Sequence, residues 1–259
     1  MGQYTEVAGI KTWYEELGSG EPLLLMHGAL SDASVFAPNA PRLAGSFHVY
    51  IPERRGHGHT PDVDGPIGYA AMAGDTVAFL ETVVGGPAHL VGHSDGAIVA
   101  LLAALRRPDL VRRLVLISGN FLHDGLIPGA VEIDEVAGFL EDGYAQLSPD
   151  GREHYPVFVA KIARMVAEEP TLGTADLAGV RSRTLVMAGD DDAIRLSHTC
   201  ALYENIPDAE LAIVPGTSHT LTMEKPALVD QLILDFLSND PAPTLMPFRR
   251  REAGTGPLT

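Results

Sequence analysis

The chain has 259 residues, 46% of them hydrophobic and 20% charged, enough apolar material for a sizeable core in one α/β domain. A formal net charge of −16 argues against any general attraction to phosphate backbones or anionic membranes, so neither nucleic acid nor a membrane is expected as a partner. The single cysteine, Cys200, excludes an internal disulfide and a thiolate metal site.

In chain order, the opening "MGQYTEVAGIKTWYEE" has neither the basic nor the apolar region of a signal peptide. No run of roughly 18 apolar residues occurs, so no transmembrane helix is expected and a cytoplasmic location is the simplest expectation. "TWYEEL" after Ile10 is the first β-rich stretch. It is followed by "LLLMH" (23–27), "HVYIP" (48–52), "AHLVGH" (88–93), "RLVLIS" (113–118), "RTLVMAG" (183–189) and "ELAIVPG" (210–216). Most are continuous Leu/Val/Ile runs rather than alternating ones, the pattern of strands buried on both faces of a parallel sheet.

Helical spacing fills the gaps. "YAAMAGDTVAFLETVV" (69–84) ends at Gly85-Gly86, "DGAIVALLAALRR" (95–107) ends in two arginines before Pro108, and "PALVDQLILDFL" (226–237) opens on proline. Alternating strands and helices predict an α/β fold with a mostly parallel sheet flanked by helices. The alternation stops over 120–180, where helices are expected around 131–147, 152–169 and 174–179, punctuated by Pro128, Pro149, Pro156 and Pro170. We read 120–180 as a helical cap inserted into a core made of 1–119 and 181–238. The Pro- and Gly-rich stretch 239–259, with three consecutive arginines, reads as a flexible tail.

The chemistry centres on Gly92-His93-Ser94-Asp95-Gly96, a G-x-S-x-G between an apolar strand and an apolar helix. A serine on a sharp strand-to-helix turn needs small residues two positions away on each side, and its hydroxyl then projects from the strand end. A serine is a poor nucleophile without a base, and the base needs an orienting acid. Asp190, Asp191 and Asp192 follow one late strand, and His219 follows the last one. The remaining histidines have simpler readings, although His57 and His59 sit two apart in a Gly-rich loop, His93 adjoins the serine, and His123 and His154 of the insertion are either pocket or surface residues. There is no P-loop, dinucleotide fingerprint or zinc motif, so no cofactor and no metal are expected.

These motifs together resemble the α/β-hydrolase superfamily in its small cap-bearing form. "HG" (27–28), "RRGHGHT" (54–60), "GHSDG", "GDDD" and "GTSHTLTMEKP" are similar to that family's oxyanion loop, Gly-rich loop, nucleophile elbow, acid turn and histidine loop. The resemblance covers about residues 5 to 238 and implies an eight-stranded sheet. It also implies a Ser94–His219–Asp192 triad, with the acid third after Gly189 and Asp191 as runner-up. The oxyanion donors it implies are the backbone N–H groups of Asp95 and Ala29, with Gly28 as second choice for the latter. His57 and His59 then fall in a structural loop.

A serine in the elbow argues against the aspartate-nucleophile branches of the family. The expectation is a carboxylesterase-type serine hydrolase acting on a small-molecule acyl substrate, as a monomer or homodimer. Perhydrolases and C–C bond hydrolases share the triad, and a ligand receptor on the same fold is the reading from another class. Asp95, His93, Phe121, Leu126, Phe139, Tyr155 and Phe158 are expected to shape the substrate pocket. Asp95 is the pointed case, because its carboxylate stands beside a site that must stabilise negative charge. Its side chain is expected either to pair a cationic substrate group or to turn away, to Arg54 or Arg55 or onto the helix as a cap. The first option resembles the serine hydrolases similar to biphenyl hydrolase-like protein, which share the S-D-G elbow and act on α-amino-acid esters.

Overall fold

A computed structural model of the chain describes residues 2–241 and 244–246; most of the expected tail, including its arginines, lies outside the described residues. Eight strands form one sheet: β1 (Gln3–Val7), β2 (Ile10–Gly18), β3 (Glu21–Met26), β4 (Phe47–Pro52), β5 (Ala88–His93), β6 (Val111–Ile117), β7 (Arg183–Asp191) and β8 (Ala209–Ser218). Their spatial order is β1-β2-β4-β3-β5-β6-β7-β8. The pairs β1–β2 and β2–β4 are antiparallel and the other five are parallel.

Seven strands coincide with the apolar runs. The eighth, β1, left no such signal. It is an edge strand with mostly exposed side chains, paired with β2 through a tight turn in which Ala8 and Gly9 both have positive φ. Its order comes from ladder hydrogen bonds rather than from burial.

The continuous runs are buried on both sides, as expected. Leu24, Met26, Leu90, Leu114, Leu116 and Val186 face one core, and Leu23, Leu25, Val91, Val115, Ile117 and Leu185 face the other. The helices are α1 (Ala40–Leu43), α2 (Tyr69–Phe79), α3 (Asp95–Arg106), α4 (Ile133–Leu147), α5 (Tyr155–Glu168), α6 (Thr174–Leu177), α7 (Leu196–Asn205), α8 (Leu221–Glu224) and α9 (Pro226–Ser238). α3 is apolar nearly all round because it lies between the sheet and α2; Ile98, Val99, Ala100 and Leu101 are all buried. α2 continues through one π-helical stretch, Leu80–Val84, and stops at Gly85 in the left-handed conformation (φ 78°).

Between β6 and β7 the chain leaves the sheet and forms α4, α5 and α6. Phe158 of α5 is fully buried, against His57 (ring centroids 4.9 Å apart) and Tyr144 (5.5 Å). A polar tie supplements this packing: Asp62, after β4, accepts hydrogen bonds from Lys161 Nζ (2.6 Å) and His154 Nε2 (2.8 Å). No helix among the described residues is long and apolar enough to cross a membrane.

The strand order reverses between β3 and β5, which are neighbours although β4 separates them in sequence. Such a switch point opens a crevice at the carboxyl ends of the strands. The loops leaving β3 and β5 therefore begin side by side, with Met26 paired to Gly92.

Candidate active site

Ser94 has φ 55° and ψ −121°, a left-handed, strained conformation held by its N–H bonding to the Ile117 carbonyl (2.9 Å). Two glycines permit the turn. A Cβ on Gly92 would stand 2.2 Å from the Gly96 carbonyl oxygen, and one on Gly96 would stand 2.1 Å from the Met26 carbonyl oxygen. The turn thus brings α3 against the end of β3.

Ser94 Oγ lies 2.9 Å from His219 Nε2, and His219 Nδ1 lies 2.8 Å from Asp192 Oδ1. The three residues stand at the ends of β5, β8 and β7. Asp192 also accepts from Ile194 N–H (3.1 Å), Gly189 N–H (3.2 Å) and Ser118 Oγ (2.5 Å). Burial pushes its carboxyl up, but the hydrogen bonds from His219 and Ser118 outweigh this and hold it below the usual carboxylate range. The acid is therefore ionised and oriented. A serine hydroxyl, an imidazole and a fixed carboxylate hydrogen-bonded in this order are an arrangement that can activate a serine as a nucleophile.

Of the other two aspartates, Asp190 accepts from Thr217 N–H (3.1 Å) and Asp191 is exposed. Ser118, with φ 52° at the end of β6, was not singled out in the sequence. No motif surrounds it; only its place at a strand's carboxyl end hints at a role.

Asp95 opens α3, so its N–H has no acceptor within that helix. Ala29 lines the same pocket from the loop after β3, and a Cβ on Gly28 would stand 3.3 Å from Ser94 Cβ. Ala29 and Asp95 therefore line the same pocket as Ser94.

A profile of the alpha/beta hydrolase family matches residues 23–232. The chain belongs to this family. It is 30% identical to the 2-(acetamidomethylene)succinate hydrolase of Mesorhizobium japonicum, over 92% of this chain and 95% of that protein. It is 31% identical to the karrikin insensitive 2 receptor CA of Petunia hybrida, over 83% of this chain and 70% of the receptor. Among solved structures, a thermophilic esterase from Thermogutta terrifontis matches with a TM-score of 0.71 at 25% identity, over 91% of this chain and 98% of the esterase.

The pocket wall of this α/β hydrolase differs from the expected one. Asp95 and Leu126 line it. Phe139 does not: it is 88% exposed on the outer face of α4. Tyr155 is buried within the helical insertion, where its hydroxyl donates to the Ala137 carbonyl (2.8 Å), and Phe158 is buried between the insertion and His57 of the Gly-rich loop. Phe121 is stacked on His198 (4.0 Å between centroids). Composition showed that these segments carry large apolar side chains, but not which way each helix turns them.

His93 is not a wall residue either. Its Nε2 donates to the His219 carbonyl (2.7 Å), and burial, with His219 nearby, lowers its pKa to about 4. The wall instead gains Tyr69, Asn120, His123, Val166 and Glu169, none of which belongs to a recognisable motif.

Asp95 takes none of the expected side-chain partners. Its Oδ1 accepts from the Tyr69 hydroxyl (2.8 Å) and its Oδ2 has no hydrogen-bond partner among the described residues. Burial pushes its carboxyl up, while the Arg54 charge and the Tyr69 hydrogen bond pull it down less strongly. Arg55 is committed elsewhere, to a bidentate pair with Asp75 (2.7 Å for each bond). His57 and His59 hold the Gly-rich loop by bonding to the Arg55 carbonyl (3.0 Å) and Glu53 (3.0 Å). Among the described residues no group of three or more His, Cys, Asp or Glu side chains is placed to hold a metal.

Proposed function

We propose that the protein is a serine hydrolase that cleaves a carboxylic ester or related acyl bond through an acyl-enzyme. The observation that carries this reading is the hydrogen-bonded chain from Ser94 through His219 to Asp192, which opens on a pocket beside Ala29 and the start of α3.

In this reading Ser94 Oγ attacks the acyl carbon as His219 Nε2 takes its proton, and Asp192 stabilises the imidazolium. The carbonyl oxygen, now an oxyanion, is held by the N–H groups of Ala29 and Asp95. Collapse breaks the bond to the leaving alcohol, which receives the proton from His219. Water, deprotonated by the same histidine, then releases the acid and restores Ser94. The helical insertion over 120–180 acts as the cap, contributing Asn120, His123, Leu126 and Val166 to the pocket wall.

Among the described residues the wall also carries two carboxylates, Asp95 and Glu169, and no lysine or arginine. That disfavours an anionic substrate and favours neutral or cationic esters.

Hydrolysis of p-nitrophenyl acetate and butyrate, with a burst of p-nitrophenol in the first turnover, tests the reading. Ser94→Ala is expected to abolish both. Absence of Ser94-dependent turnover on any acyl substrate rejects the enzyme and favours a ligand receptor, the function named for the Petunia relative. An ester panel that includes amino-acid esters, run on the wild type and Asp95→Ala, tests substrate choice. Selective loss on the cationic esters assigns Asp95 to substrate recognition, and equal loss on all esters assigns it to the transition state.

A further inference from the structure

Asp95 poses an electrostatic problem that the triad does not solve. It is only 5% exposed, and its carboxylate belongs to the residue whose N–H faces the developing oxyanion. A negative charge there opposes the charge that the reaction creates.

The opposite charge lies in the next layer. Arg54 is 7% exposed and acts electrostatically on Asp95, yet makes no ion pair with it among the described residues. Its guanidinium is spent on the loop after β3. Nη1 donates to the His27 carbonyl and Nη2 to the Gly28 carbonyl (2.9 Å). The Gly28 oxygen has two more donors, His27 Nδ1 (2.9 Å) and Ser31 Oγ (3.1 Å). His27 is consistent with this role. Burial holds its pKa well below the usual value, so it is neutral, and its Nε2 accepts from Arg54 N–H (3.3 Å) while Nδ1 carries the proton.

The identity of that carbonyl matters. Gly28 C=O and Ala29 N–H belong to one conjugated peptide unit. Three donors on the oxygen draw electron density from the nitrogen and make the N–H a stronger donor, since hydrogen bonds in a chain polarise one another. Burying a guanidinium is costly, and its Nε has no partner among the described residues.

The geometry points to Arg54 as a positioning residue of the oxyanion site: it polarises the Gly28–Ala29 peptide and offsets the charge of Asp95, strengthening transition-state binding rather than substrate binding. This rests on the serine-hydrolase reading, in which Ala29 N–H is an oxyanion donor.

The test uses the full chain with p-nitrophenyl butyrate as substrate and butylboronic acid, which forms a tetrahedral anionic adduct on a nucleophilic serine, as the oxyanion probe. Arg54→Met is expected to lower kcat by about 10- to 100-fold, short of or at the lower end of the loss caused by deleting a whole donor, with KM changed less than about 3-fold. Boronate affinity should fall in parallel with kcat. Adding Asp95→Asn to Arg54→Met should recover part of the loss.

Ser31 is half-buried, and Ser31→Ala removes one of the three donors without exposing a core charge, so it keeps the test valid if Arg54→Met does not fold. A roughly 2- to 5-fold fall in both kcat and boronate affinity is expected for it. A folded Arg54→Met with unchanged kcat, or one that raises KM as much as it weakens the boronate, overturns the inference. So does Ser31→Ala with unchanged kcat when Arg54→Met is unfolded. These failures leave Ser94-dependent turnover in the wild type intact, whereas its absence there rejects the parent reading instead.

Discussion

The two sides of the pocket are built differently. On the sheet side, Ala29, Ser94, Asp95 and His219 leave the carboxyl ends of β3, β5 and β8 within a residue or a few of the last ladder pairs. Their positions are set by backbone: Leu30 and Ser94 with positive φ, and Gly92 and Gly96 with no room for a Cβ. On the insertion side, the wall is made of side chains from short loops and helix ends, such as His123, Leu126, Val166 and Glu169. Here the contact depends on how a helix is rotated. The sheet side leaves no room for a Cβ at Gly92 or Gly96, whereas the insertion side is lined by side chains that can be exchanged without moving the strand ends.

The largest effect that would sharpen this contrast is on the sheet side. Asp192→Asn should keep the fold, by circular dichroism, and lower kcat by about 10⁴-fold, because the amide presents the wrong hydrogen-bonding face to His219. Retention of more than a tenth of wild-type kcat would falsify the triad assignment.

Phe158→Ala comes next, and it probes the packing of the insertion on the Gly-rich loop rather than the pocket. Emptying that fully buried site should cost about 3–5 kcal/mol in chemical denaturation. A loss below about 1 kcal/mol would mean that the insertion does not depend on this packing.

Ser118→Ala removes a hydrogen bond to an ionised carboxylate, an interaction of about 1.5–3 kcal/mol. We expect kcat to drop by roughly 10-fold or more, with KM nearly constant, in steady-state assays. An unchanged kcat would show that the other donors suffice to hold Asp192.

A pH series addresses the joint between the two regions. Burial raises the pKa of Asp62, but hydrogen bonds from Lys161 and His154 outweigh it, so the folded value is lowered. Its stabilisation is therefore full above the unfolded carboxylate value, near pH ~4, and is lost as pH falls through the folded value. The melting-temperature gap between wild type and Asp62→Asn should be widest at neutral pH and close below about pH 4. A gap independent of pH would show that the carboxylate's charge plays no part in the tie.

The smallest effect is expected at Phe139, whose replacement by Ala should shift stability by less than about 0.5 kcal/mol and leave kcat/KM unchanged. A marked loss of ester turnover would return Phe139 to the pocket wall.

The difference in legibility follows the same division. Ser94 and His219 could be read from local patterns, because a strained elbow demands its glycines and a histidine loop follows the last strand. Asp192 needed the family resemblance to separate it from Asp190 and Asp191. Ser118 and Tyr69 carry no local signal, and the Gly-rich loop that begins at Arg54 did not show that its side chain reaches the Gly28 carbonyl. Their partners lie 74, 26 and 26 residues away along the chain, so only the folded arrangement reveals them. The edge strand β1 was invisible for a related reason: it buries little, and burial is what apolar patterning records.

By itself the sequence determined the α/β alternation, the parallel sheet and the elbow, because strand burial on two faces and a turn without room for Cβ atoms restrict which residues can occupy those positions. Tertiary structure alone decided which face each helix of the insertion turns to the cavity, and which buried groups surround Asp95. Those contacts join residues far apart in the chain, and helical spacing defines an apolar face without saying what it meets.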